Sequence, residues 1–178
     1  MQIPTIETSR LTLRAWRDSD LDAFAAFSAD PYTARFVGGA CSREDAWRRM
    51  AAYAGHWLLR GYGLWALEEK RSGAFVGYSG LWFPEGWPEL ELGWSLVRTA
   101  QGKGYATEAA ARARAYAYEA VGAKTLISII DKQNYPSQAV ANRLGATYEN
   151  VFLLRGAEVV IYRHPARDLL HRNERPRA

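Results

Sequence analysis

Gln101-Gly102-Lys103-Gly104-Tyr105-Ala106 lies between a stretch that alternates in polarity, Leu90–Val97, and an alanine-rich run that starts near Ala106. A strand, a glycine turn and a helix start, in that order, make a site for an anion. Glycine lets the backbone come close to a ligand, and the first N–H groups of a helix have no intrahelical acceptor. The helix dipole adds about half a positive charge at that end. A phosphate or pyrophosphate fits such a place. A glycine-softened loop capping an ordinary helix has the same outline, so the spacing of the residues must discriminate.

A Walker A loop needs Gly, four residues, Gly, then Lys and Ser or Thr. Here Lys103 is followed by Gly104, and Thr107 is too far along for the magnesium role. The dinucleotide fingerprint would need glycine at Thr107 and a preceding strand that opens a parallel βαβ unit. Neither pattern fits. What remains is Gln-x-x-Gly-x-Ala.

Upstream, Glu89–Val97 is expected as a strand with Leu90, Leu92, Trp94 and Leu96 on one face and Glu89, Glu91, Gly93 and Ser95 on the other. Downstream, Ala106, Ala109, Ala110, Ala113, Ala117 and Ala120 give a helix face that permits close approach to a sheet. Glu108 and Arg112 are spaced for an i,i+4 pair, and Gly122 ends the helix. Leu126–Ile130 is an apolar, β-branched run suited to a buried strand. Asn134-Tyr135-Pro136-Ser137 opens a helix through Leu144, and two strands follow around Thr147–Leu154 and Glu158–Arg163.

Toward the N-terminus, Leu11–Trp16 alternates as a strand. The apolar face Leu21, Phe24, Ala25 and Phe27 predicts a helix ending before Pro31. Ser42 and Asp45 form a capping-box pattern ahead of a second helix through Trp57. Leu64–Glu69 and Phe75–Phe83 flank the turn Arg71-Ser72-Gly73 as a hairpin. The predicted order is β-α-α-β-β-β-α-β-α-β-β. This is a mixed α/β (α+β) fold, with a largely antiparallel twisted sheet of about seven strands and helices on both faces.

At 178 residues the chain is expected to be a single domain over 1–178, with a basic C-terminal stretch at 165–178. No apolar run approaches the roughly 20 residues that span a bilayer, and the start lacks a signal-peptide pattern. One cysteine, Cys41, leaves no internal disulfide and suits a reducing cytosol, so a cytoplasmic location is expected. His56, His164 and His171 show no ligand spacing, and no metal site is expected. The formal net charge is +4, with excess arginine at Arg163, Arg167, Arg172, Arg175 and Arg177. A solvated tail accounts for these better than a nucleic-acid contact. Gly77-Tyr78-Ser79-Gly80 falls one residue short of a nucleophile elbow and lies within a strand, so Ser79 is not expected to be a nucleophile.

Four landmarks together resemble one family. Gln101–Ala106 resembles the Q/R-x-x-G-x-G/A loop of the GNAT N-acetyltransferases. Thr8-Ser9-Arg10-Leu11-Thr12-Leu13-Arg14 resembles the T-x-R-L-x-L-R signature of its RimJ/RimL-type branch of ribosomal-protein alanine N-acetyltransferases. Glu91-Leu92-Gly93-Trp94 resembles that branch's E-[IL]-G-[YW] strand, and Asn134–Ser137 with Arg143-Leu144-Gly145 resembles its N-x-x-S…K-L-G segment. Three positions depart from the pattern. Ala141 stands where other branches place a tyrosine acid, Asn142 where this branch has glutamate, and Ala146 where a phenylalanine follows Leu-Gly.

The resemblance implies a GNAT fold and an enzyme that moves the acetyl group of acetyl-CoA to a primary amine, on a protein N-terminus or a small molecule. It implies Gln101, Gly102, Lys103, Gly104, Tyr105, Ala106 and Thr107 around the pyrophosphate, with Lys103 facing either the phosphates or solvent. It also implies backbone groups of Leu96 and Val97 on the pantetheine. Asn134 is read as either a helix cap or a pantetheine contact. Glu91 is the expected base, against a strand-face carboxylate paired with arginine; Glu89 is the weaker candidate. Ser137 is the expected donor to the departing thiol, against a serine that merely serves a helix start. Trp82, Trp87 and Trp94 are read as core in preference to pocket. A catalytically silent CoA-binding domain is the alternative function. The expected partners are acetyl-CoA and an amine acceptor, with no membrane or nucleic acid and with a homodimer through a strand edge open.

Overall fold

The computed structural model describes residues 2–168. Arg172, Arg175 and Arg177 of the expected basic stretch, and His171, lie outside them. Eight strands form one sheet in the order β1-β2-β3-β4-β5-β6-β8-β7: β1 Ile6–Glu7, β2 Leu11–Arg14, β3 Leu64–Glu69, β4 Phe75–Trp82, β5 Glu91–Leu96, β6 Ile127–Asp131, β7 Thr147–Leu154 and β8 Ala157–Arg163. The two-residue β1 is added to the expected set, pairing Ile6 with Leu13 at the sheet edge. Every neighbouring pair is antiparallel except β5 and β6. Those two strands meet in the single register pair Glu91↔Ile127 and then part. The gap this leaves in the middle of the sheet is what positions the site.

The helices are α1 Leu21–Ala29, α2 Pro31–Ala34, α3 Arg43–Arg60, α4 Tyr105–Tyr116 and α5 Tyr135–Arg143. Ala109, Ala110, Ala113 and Ala117 of the α4 segment are all 0% exposed, packed in one cluster with Leu11, Leu67, Leu81 and Leu92. With methyl side chains on that face, α4 lies close on β2, β4 and β5. Each fully buried leucine of the cluster contributes on the order of 2 kcal/mol. A second cluster joins Phe24 and Phe27 of α1, Ala46 and Met50 of α3, and Leu64 and Tyr78 of the sheet.

Local signals explain where elements start and stop. Asp30 accepts from the Tyr32 N–H at 3.0 Å, so Pro31 ends α1 and also starts the short α2. Ser42 Oγ accepts from the Asp45 N–H at 3.1 Å at the head of α3. The helix after the glycine loop runs on past Tyr116 as one π turn, Ala117–Val121, and stops at Gly122. The expected Glu108–Arg112 pair does not form. Glu108 turns instead toward Arg10, and Arg112 lies 4.0 Å from Glu119.

Candidate active site

The parting of β5 and β6 opens into a cavity of about 850 Å³ walled by the 101–108 segment, the start of α5 and the α2 region. Of the residues expected at the cofactor, Leu96, Gln101, Gly102, Lys103, Gly104, Tyr105, Ala106, Thr107, Asn134 and Ser137 all line it. Val97 does not: its N–H donates to Val76 O at 3.0 Å, so that amide is committed within the sheet. The reason is the pleat. In an antiparallel ladder successive residues present their polar groups to opposite sides. Since Val97 points at β4, so do Ser95 and Gly93, while the N–H and C=O groups of Trp94 and Leu96 turn into the gap.

Gly102 and Gly104 hold φ of 75° and 82°, a region where a side chain costs about 1 kcal/mol or more. Gly104 caps α4, and the first intrahelical bond is Glu108 N–H to Gly104 O at 3.1 Å. The N–H groups of Tyr105, Ala106 and Thr107 are thus left without helical acceptors at the cavity wall. Gln101 Nε2 donates to Leu96 O at 3.1 Å, which ties the loop to the end of β5.

A clamp from the Thr8–Arg14 stretch, whose sequence shows only a family signature and not this role, fixes the loop from the other side. Arg10 donates from Nε to Glu108 Oε2 at 2.7 Å and from Nη1 to Lys103 O at 2.9 Å. Thr8 Oγ1 and the Arg10 N–H both donate to Glu108 Oε1, at 2.6 and 2.8 Å. Glu108 is a carboxylate on the wall of a cavity suited to anions, and Arg10 neutralises it. Arg35, Lys103 and Arg143 also line the cavity, and none has a carboxylate within 4.0 Å among the described residues. Three loose cations and three free amides fit a polyphosphate.

A second cavity of about 670 Å³ adjoins the first, and Arg35, Phe36, Val37, Trp94, Asn134 and Ser137 line both. Its walls carry Tyr53, Tyr78, Trp82, Trp87 and Trp94, so these three tryptophans form a pocket surface and not simply core. Glu91 stands in this wall. Trp87 Nε1 donates to its Oε2 at 2.7 Å and the Ile129 N–H to its Oε1 at 3.4 Å. Burial pushes the Glu91 carboxyl up to about 7, against the opposing pull of those two donors. No arginine among the described residues pairs with it. Glu89, in contrast, is bound at 2.6 and 2.7 Å by Arg163, which holds it below the usual carboxylate range. It lines neither cavity.

Asn134 Oδ1 accepts from the Ser137 N–H at 3.3 Å, so Asn134 caps α5. That bond uses the Ser137 backbone; its hydroxyl has no protein partner among the described residues and lies where the two cavities meet. Ala141, at the position of an absent tyrosine, is fully buried against Ile130 and Tyr162. Ser79 is fully buried and donates to Gly93 O at 2.9 Å, a strand contact with no base beside it. The described residues contain no group of His, Cys, Asp and Glu suited to a metal, and no helix among them is long and apolar enough to cross a membrane.

Beyond the Glu91↔Ile127 pair, side chains hold β5 to β6. Ser128 Oγ donates to Leu92 O at 2.6 Å and lies 2.9 Å from His164 Nε2. With its proton committed to Leu92, the serine can only accept from the imidazole, which fixes His164 as the Nε2–H tautomer. Burial lowers the His164 pKa to about 3 and keeps the ring neutral, with Nδ1 lacking a partner among the described residues. Nothing in the sequence singled out this pair, because neither residue has a motif.

Residues 10–147 match the family model of the acetyltransferase (GNAT) domain. The YkkB protein of Bacillus subtilis (strain 168) is 29% identical over 164 residues, covering 87% of this chain and 92% of that one. An acetyltransferase from Agrobacterium tumefaciens str. C58 superposes with a TM-score of 0.85 at 34% identity, covering 93% of this chain and 96% of its own. RimL, a ribosomal L7/L12 alpha-N-protein acetyltransferase solved with coenzyme A, superposes with a TM-score of 0.73 at 19% identity over 90% of this chain and 97% of that one. At that identity the likeness is one of fold. With the glycine loop, the divided sheet and a model match over most of its length, this chain belongs to the GNAT acetyltransferase family.

Proposed function

We propose that this protein is an acetyl-CoA-dependent N-acetyltransferase of the RimJ/RimL type, acting on a primary amine by direct attack with both substrates bound. The observation that carries the reading is the junction of the two cavities at Trp94, Asn134 and Ser137, with Glu91 facing the second cavity. Acetyl-CoA supplies a thioester that an unprotonated amine can attack. The amides of Tyr105, Ala106 and Thr107, with Arg35, Lys103 and Arg143, would hold its phosphates. The N–H and C=O groups of Trp94 and the N–H of Leu96, which face the gap, would take its pantetheine amides, the Leu96 carbonyl being held by Gln101.

An amine attacks only as the free base. Glu91, titrating near 7, removes that proton at neutral pH, directly or through one water. The free Ser137 hydroxyl stands at the cavity junction to donate a hydrogen bond to the departing sulfur. Serine is a weak acid, so its contribution is stabilisation and not full proton delivery.

Calorimetry with coenzyme A tests the first half: the wild type binds, and Gly104→Glu, which puts bulk, charge and a strained φ into the loop, weakens binding at least ~100-fold. Thiol release with an amine panel tests the second half. Binding with only background release would assign the chain to the catalytically silent, CoA-holding class, and no binding by the folded wild type would sink the reading altogether.

A further inference from the structure

The second cavity is charged in a way that bears on its occupant. Arg49 and Arg155 line it, with Arg35 shared between it and the first cavity, and none of the three has a carboxylate within 4.0 Å among the described residues. Arg49 donates only to backbone carbonyls, at 3.2 Å to Val37 and Gly38. Against these cations stand Glu91 and Asp131, and one Asp131 oxygen already accepts from the Gln133 N–H at 2.8 Å. A polyamine or a lysine-rich peptide would enter such a cavity against repulsion.

Arg155 is the most informative of the three. It is the one described residue other than glycine with positive φ, at 51°. With Gly156 at 85° it makes the two-residue turn between β7 and β8. Such turns favour Asn-Gly or Asp-Gly, because both central residues need positive φ. An arginine there is strained, and local strain of this kind concentrates at functional positions. Its guanidinium lies 5.3 Å from the centre of the Trp87 ring, over the same indole whose Nε1 binds Glu91. One indole thus separates a cation from the carboxylate placed to deprotonate the amine.

We infer that the acceptor is a compact primary amine that also carries a carboxylate or similar anion, and that Arg155 recognises this anion while the amine faces Glu91. The inference rests on the acetyltransferase reading. The aromatic walls suit a flat body between the two polar ends.

The test uses two acceptors alike except for the anion, 4-(aminomethyl)benzoate and 4-methylbenzylamine. Their binding is followed by tryptophan fluorescence with and without saturating coenzyme A, and their turnover by thiol release. The carboxylate-bearing amine is expected to bind ~10-fold more tightly and to show a correspondingly higher kcat/KM. Arg155→Met should abolish that preference. Arg155→Asn should abolish it too and also raise the melting temperature, because asparagine tolerates positive φ. Equal binding of the two amines by the wild type, or a preference surviving in both variants, overturns the inference. A tetrapeptide with acidic residues and a free N-terminus, bound more tightly than the aminobenzoate, overturns the choice of a small molecule. Failure of coenzyme A to bind would instead remove the acetyltransferase reading, while the titration without coenzyme A still reports on the anion.

Discussion

The indole Nε1 of Trp87 donates a 2.7 Å hydrogen bond to Glu91 Oε2 inside the aromatic cavity. Among the described residues no cation lies within 4.0 Å of that carboxylate, and its other oxygen has only the Ile129 N–H at 3.4 Å. Desolvation therefore outweighs the two donors, and the group titrates near 7 when an ordinary glutamate would titrate near 4.5. A base is most effective when its pKa lies near the working pH.

Glu91 should appear directly in the pH dependence of turnover. kcat/KM is expected to rise with unit slope as pH approaches 7 and to level off above it. Glu91→Gln should lower it ~100-fold or more and remove that limb. A thiol-release assay from pH 5.5 to 9 checks both. Full activity of the glutamine variant across that range would eliminate the base assignment.

The same shift has the opposite consequence for stability. Between about 4.5 and about 7 the unfolded chain releases the Glu91 proton while the folded chain keeps it, so stability falls as pH rises through that window. Glu91→Gln removes the penalty and should stabilise the fold by up to about 3 kcal/mol at pH 8, with little effect at pH 4. Urea denaturation at the two pH values measures it.

Trp87→Phe keeps the aromatic wall but removes the donor that lowers the Glu91 pKa. The limb of the pH profile should move up by about one pH unit, so activity falls several-fold at pH 7 and recovers at pH 9. A loss that was the same at every pH would point to packing instead.

Arg10 and Glu108 should act on cofactor affinity and not on chemistry. Arg10→Met frees the Lys103 carbonyl and leaves the Glu108 carboxylate unneutralised on the wall of the anion cavity. The KM for acetyl-CoA should rise ~10-fold with kcat within about twofold. Adding Glu108→Gln to this variant removes the stranded charge and should recover part of the loss, which a purely structural defect would not do.

His164 should stay neutral, with its proton on Nε2, in the folded protein from pH 8 to pH 5, because the Ser128 proton is committed to Leu92 O and burial opposes a second charge. Its folded pKa lies below the ordinary histidine value, so stability is lost as pH falls from about 6.5 toward about 3. Nitrogen-resolved NMR of the imidazole reads the tautomer and the titration directly.

The order of elements, the glycine loop and the faces of β5 were legible in the sequence, because each follows from local rules. Alternation separates the faces of a strand, glycine supplies positive φ at positions 102 and 104, and methyl side chains let a helix lie close on a sheet. Whether Glu91 or Glu89 is the isolated carboxylate was not decided there. Both sit on the same face of the expected strand, and only the tertiary structure brings Arg163 of β8 to Glu89 and leaves Glu91 half-buried with no ion-pair partner among the described residues. The same holds for Val97, whose amide is consumed by Val76, and for Trp82, Trp87 and Trp94, whose aromatic content alone does not distinguish core from cavity wall. Sequence by itself determined the loop that suits a polyphosphate, since its backbone donors come from the seven consecutive residues Gln101–Thr107. The second cavity draws on residues from β5, β6, the α2 region and the β7–β8 turn, and where two strands part beside it is a long-range property that only folding decides.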